Sequence, residues 1–191
     1  MIQVGIVGTG FIGPAHIEAL RRVGDIEVVA LCDSNLAQAQ QKARQLNVAH
    51  AYGQVEELLA HPGLQVVHNC TPNHLHAKIN RQALHAGLHL FSEKPLCMLP
   101  DEARELVTLA EKAGVVHGVS FVYRQFAMVQ QAASMMRAGQ VGRLFFRRTA
   151  AICRTGWCSK VTITGGWSRR WAALRGRWRI SAPTGATRCS L

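Results

Sequence analysis

Six short apolar runs, each followed within a few residues by a helical pattern, most constrain what this chain can fold into. The runs are IQVGIV at 2–7, IEVVALC at 26–32, residues 49–52, VVHNC at 66–70, HLFS at 89–92 and VVHGVSF at 115–121. Helical patterns follow from Pro14, over 36–46, at 55–59, from about His74 to Ala86, and over Asp101–Ala113. Pro14 suits a first helical turn, and Gly87 and Gly114 suit helix ends. Asp33 or Ser34 can cap the second helix. Strands without a polar face that alternate with helices predict a parallel sheet covered on both sides. After Tyr123 the pattern changes: a helix over 125–138 closes at Gly139, and a strand starts near Val141. These read as the first pieces of a second domain.

The first turn carries the chemistry. Gly8, Gly10 and Gly13 form GxGxxG directly after the first strand and at the opening of the first helix, and Phe11 and Ile12 belong to the same turn. Asp33 ends the next strand twenty residues after Gly13, the spacing of a dinucleotide fingerprint. Gly8 permits the tight turn, Gly10 lets a pyrophosphate approach the backbone, and Gly13 allows close helix–strand packing. The helix N-terminus offers N–H groups and a favourable dipole. The Asp33 carboxylate would bind ribose hydroxyls and repel a 2′-phosphate, so NAD is favoured over NADP; as an alternative, Asp33 serves only as a helix cap. The expected fold is therefore a doubly wound, Rossmann-type parallel α/β sheet over 1–122. An incomplete α+β second domain begins over 123–150. At the carboxyl end of the fifth strand stands Glu93-Lys94-Pro95, where open α/β sheets bind ligands. A lysine there can exchange a proton with a substrate hydroxyl as hydride leaves; an exposed loop lysine is the plainer reading.

The order and spacing of GTGFIG, CTPNHLH and SEKPL resemble the Gfo/Idh/MocA oxidoreductases, over about residues 2–149. The resemblance implies that Thr71, Pro72, Asn73 and His76 line the nicotinamide-ribose side of the site. It implies that Lys94 is the catalytic lysine, that the Lys94–Pro95 bond is often cis, and that Arg124 approaches nicotinamide or substrate. It further implies NAD(P)-dependent oxidation or reduction of a sugar or polyol, in dimers or tetramers built through a second domain.

Charge separates the chain into two parts. Residues 1–150 hold 14 Lys/Arg and all 11 acids, whereas 151–191 hold eight Lys/Arg and no acid. All four tryptophans lie in that tail, and all nine histidines precede it. An excess of base usually points to nucleic acid, but here it is confined to the tail, and nucleic-acid binding is disfavoured. The six cysteines form no CxxC pair, so buried reduced thiols are expected and no metal site. No apolar run is long enough to span a membrane, and the first residues show no leader, so a cytoplasmic protein is expected.

Near residue 149 the resemblance stops, and the family's DIGTHW-like segment is missing. The genetic code suggests why. Pairing the third base of each tail codon with the first two of the next lets Cys153–Trp157 spell QDWL. In the same frame Lys160–Gly166 spells GDYNWR and Arg179–Gly185 spells DIGTHW. The expectation is an out-of-frame, largely disordered tail over 151–191, and an oxidoreductase fragment impaired in turnover. The alternatives are a non-catalytic NAD-binding protein and a nucleic-acid binder acting through its tail.

Overall fold

The computed structural model describes residues 1–142 and, for the backbone only, 146–153 and 156–163. In chain order the first elements are β1 (Ile2–Val7), α1 (Ile12–Val23), β2 (Ile26–Cys32), α2 (Leu36–Gln45), β3 (His50–Tyr52), α3 (Val55–Leu59) and β4 (Val66–Asn69). After a 3-10 turn at Asn73–Leu75 come α4 (His76–His85), β5 (His89–Ser92), α5 (Pro100–Ala113) and β6 (His117–Val119). A 3-10 turn at Val122–Gln125 and α6 (Ala127–Arg137) follow.

The first six strands form one parallel sheet in the order β3-β2-β1-β4-β5-β6. This is the doubly wound arrangement expected from the alternation of runs and helices. Both faces are covered because both faces of the strands are apolar. Val7, Val67 and Leu90 pack with Leu58, Ile79 and Leu106 from α3, α4 and α5. Val4, Ile6 and Leu31 pack on the other face with Ile17 of α1 and Ala43 of α2. Strand order reverses between β1 and β4, and at that switch point the carboxyl ends of the strands open a crevice.

Several boundaries differ from the sequence reading. Asn35, not Asp33 or Ser34, caps α2, its side chain accepting from the Gln38 N–H at 3.2 Å. Its extended backbone lets the carbonyl of the side chain reach that donor. Strand β6 is only three residues long, a short edge that leaves Val116 and Phe121 exposed. The strand expected near Val141 begins at Phe146.

The chain divides into two compact units, Met1–Phe126 and a second that begins at Ala127. In the second, β7 (Phe146–Cys153) pairs antiparallel with β8 (Gly156–Ile163). That stretch of the expected disordered tail thus carries a backbone ladder, in keeping with strand-forming Trp157, Val161, Thr162 and Ile163. Residues 154–155 and 164–191, the rest of that tail, lie outside the described residues. No helix among the described residues is long and apolar enough to cross a membrane.

Candidate functional site

The glycine turn leaves β1 at its carboxyl end, and each glycine there has its own physical reason. Gly8 has φ +95°, and a Cβ on it would lie 2.7 Å from the Cys70 carbonyl. A Cβ on Gly13 would lie 2.4 Å from the Gly8 carbonyl oxygen, so only glycine lets α1 pack onto the turn. Gly10 differs. A Cβ there meets nothing within 4 Å among the described residues, and its φ is one that any residue adopts. Among the described residues nothing gives a reason for glycine at position 10, and its bare backbone leaves room for a ligand to lie against it.

The opening of α1 is equally free. No side chain caps it and no acid stands in its first turn, so its leading N–H groups have no side-chain acceptor. Phe11 beside them is almost fully exposed, and Ile12 is half-buried.

Asp33 reaches this turn from β2. Its Oδ2 accepts from the Thr9 N–H at 2.9 Å and the Thr9 hydroxyl at 2.6 Å. Burial on its own would raise the Asp33 carboxyl, but the Thr9 hydrogen bonds, with those from Asn35 and Ser34, hold it below its ordinary value. The result is a fixed, partly exposed carboxylate beside the turn. Next to it, burial first and then the negative Asp33 push the Cys32 thiol up to about 12. Burial does the same for Cys70, so neither thiol is a ready nucleophile. Among the described residues no cluster of His, Cys, Asp and Glu is suited to a metal ion.

Across the crevice the loops after β4 and β5 meet. Pro72 and Asn73 are exposed at the rim, with Thr71 half-buried behind them. His76 is placed otherwise than the resemblance implies. It is fully buried, with Nδ1 2.5 Å from the Pro95 carbonyl and Nε2 2.7 Å from the Thr71 carbonyl. With no exposed surface it ties the two loops together and does not line the crevice. The Lys94–Pro95 bond is cis.

A buried amide network continues that tie. Asn69 Oδ1 accepts from the Thr71 hydroxyl at 2.7 Å, and its Nδ2 donates to Asn80 Oδ1 at 2.8 Å. Asn80 Nδ2 donates to the Ser92 hydroxyl at 3.0 Å and the Leu96 carbonyl at 3.1 Å. Asn69, Asn80 and Ser92 are fully buried, so every bond in the network spares an unpaired polar group.

Glu93 turns inward and is buried; its Oε2 accepts from the Lys94 N–H at 3.1 Å. Burial would raise its carboxyl, but hydrogen bonds from Ser120, His16 and the Lys94 N–H bring it below its ordinary value. Lys94 itself is exposed, and among the described residues no hydrogen bond or ion pair holds its ammonium. Arg124 is exposed in the 3-10 turn after β6.

The sequence reading missed Thr9, His16, His68, Asn69, Asn80 and Ser92. The one signal available was polar residues breaking apolar stretches, as His68-Asn69 breaks VVHNC and His16 sits on the stripe of Ile12, Ile17 and Leu20.

Residues 2–121 match the model of the GFO_IDH_MocA oxidoreductase family, NAD-binding Rossmann fold. D-glucoside 3-dehydrogenase of Escherichia coli is 33% identical over 156 residues, covering 81% of this chain and 44% of that protein. D-xylose 1-dehydrogenase (NADP(+)) 2 of Haloferax volcanii is 35% identical over 141 residues, 74% of this chain and 43% of that one. A levoglucosan dehydrogenase solved with NADH and L-sorbose superposes with a TM-score of 0.73 at 30% identity, over 78% of this chain and 42% of that one. The chain thus spans less than half the length of these relatives. Over its sheet, its glycine turn and its two crevice loops, it belongs to the Gfo/Idh/MocA oxidoreductase family.

Proposed function

We propose that this chain is the dinucleotide-holding half of an NAD-dependent oxidoreductase acting on a secondary alcohol of a sugar or polyol. The observation that carries the reading is Gly10, a glycine that no neighbouring group of the described chain requires, beside an uncapped helix. The Gly8–Gly13 turn and the leading N–H groups of α1 would hold the pyrophosphate. Asp33, fixed by Thr9, would accept from the adenosine ribose hydroxyls, while Pro72 and Asn73 offer the exposed rim for the nicotinamide ribose. When bound, NAD supplies the hydride acceptor. Lys94, exposed at the end of β5, would exchange the alcohol proton, and Arg124 would approach nicotinamide or substrate. The glucoside and xylose dehydrogenases among the relatives favour a sugar substrate.

The residues that would choose among sugars, and those through which relatives would assemble, belong to the half that this chain does not share. Residues 1–122 form the cofactor domain in this reading, 123–150 the start of the second, and 151–191 an out-of-frame tail. The chain then binds dinucleotide with little or no turnover. Asp33 gives the direct test. NADH is expected to bind the full chain at least about tenfold more tightly than NADPH, since a hydrogen bond to a charged group contributes about 1.5 kcal/mol or more. Asp33→Ala is expected to remove that preference. Equal affinities in the unaltered chain, or sugar-dependent NADH formation at an ordinary enzymatic rate, contradict the reading.

A further inference from the structure

One buried histidine joins the two ends of the crevice. His16 lies in the second turn of α1, with 9% of its surface exposed. Its Nε2 is 3.2 Å from Glu93 Oε1, and its Nδ1 is 3.0 Å from His68 Nδ1 on β4. Around it the packing is apolar, with Phe91 tilted against both imidazoles and Ile12, Ile17 and Leu20 along the same helix stripe. We propose that His16 is a positioning residue that locks the Glu93-Lys94-Pro95 loop to the helix opening the glycine turn, holding Lys94 in register with the bound dinucleotide. This rests on the dinucleotide reading above.

The lock follows from how Lys94 is held. Its ammonium has no partner among the described residues, so its position is set through its backbone. The Lys94 N–H donates to Glu93, and the Glu93 N–H donates to the Asn69 carbonyl at 2.8 Å. A buried carboxylate keeps such a place only if donors surround it. His16 supplies one of them from the phosphate-side helix. With Glu93 ionised, His16 Nε2 must carry a proton, and in the neutral ring Nδ1 then accepts from His68. Burial pushes His68 down to about 4, leaving it neutral at pH 7, and with its proton on Nδ1 it gives that bond. Loss of His16 would take from Glu93 its donor on the phosphate-side helix and from His68 its acceptor.

Two probes separate positioning from mere support of the fold. ADP-ribose carries both phosphates and no nicotinamide; NADH carries both ends. Titrated into the full chain, NADH is expected to bind more tightly than ADP-ribose. In His16→Leu, which keeps bulk but donates nothing, ADP-ribose affinity should stay within about twofold while the advantage of NADH falls at least about fivefold. His16→Gln, whose amide can donate toward Glu93, should restore most of that advantage. A parallel fall of both affinities, no change in either, or no advantage of NADH in the unaltered chain overturns the proposal. If the unaltered chain binds neither probe, the dinucleotide reading itself fails and the proposal falls with it.

Discussion

Gly13→Ala is expected to destabilise the first unit by about 3 kcal/mol and to abolish measurable NADH binding. The new Cβ would sit 2.4 Å from the Gly8 carbonyl oxygen, a backbone atom that no rotamer change can move aside. Either α1 shifts away from the turn or the turn itself deforms. Overpacking of this kind costs about 1–3 kcal/mol, and contact with backbone places it at the upper end. Against a typical total of about 5–15 kcal/mol, that is a large share. Denaturant unfolding at pH 7 measures it. A midpoint unchanged from the unaltered chain would show that α1 has room the structure does not give it.

The second large effect is one of pH. In the unfolded chain His68 takes up a proton near pH 6.5, but in the folded chain only near pH 4. Between those values the unfolded state binds more protons, so stability falls as pH falls. The contribution is complete above about pH 6.5 and is lost by about pH 4. From pH 7 to pH 5 the loss assigned to this residue is on the order of 2 kcal/mol. Glu93, held below its ordinary value, adds to the loss only at lower pH, as its own carboxyl protonates. His68→Gln keeps a hydrogen-bonding side chain beside His16 and removes the titration. Its stability should fall less from pH 7 to pH 5 than that of the unaltered chain, by that amount, as urea unfolding at both values would show. Equal losses in the two chains would mean that His68 is not kept neutral by its burial.

Those expectations rest on features of unequal visibility in the sequence. The doubly wound parallel sheet was legible because strand–helix alternation with apolar runs leaves few arrangements. Gly8, Gly10, Gly13 and Asp33 stood out in the sequence because their spacing and their place between strand and helix match a dinucleotide fingerprint. The cap of α2 was not, because Asp33, Ser34 and Asn35 are all competent caps. Only the backbone at Asn35, and the prior engagement of Asp33 by Thr9, settles which one acts. His76 misled for a similar reason. A histidine in a loop motif reads as a ligand contact, yet its two nitrogens serve carbonyls of the chain itself. The Asn69–Asn80–Ser92 network and the His68–His16–Glu93 line were invisible because their members lie on different elements. Their separations in sequence, 11 and 12 residues for the amides, 52 and 77 for the His16 contacts, carry no period that a helix or strand would show.

Gly10→Ala tests the central claim most directly, because stability and binding should respond in opposite senses. A methyl group there meets nothing within 4 Å among the described residues, and the backbone is one that alanine adopts. Stability should therefore hold or rise, by up to about 1 kcal/mol, as the unfolded chain loses freedom. NADH affinity, titrated on the same preparation, should fall at least about tenfold, because the methyl would occupy the space of the pyrophosphate. Unchanged NADH affinity in a stable Gly10→Ala chain would contradict the assignment of this turn as a dinucleotide site.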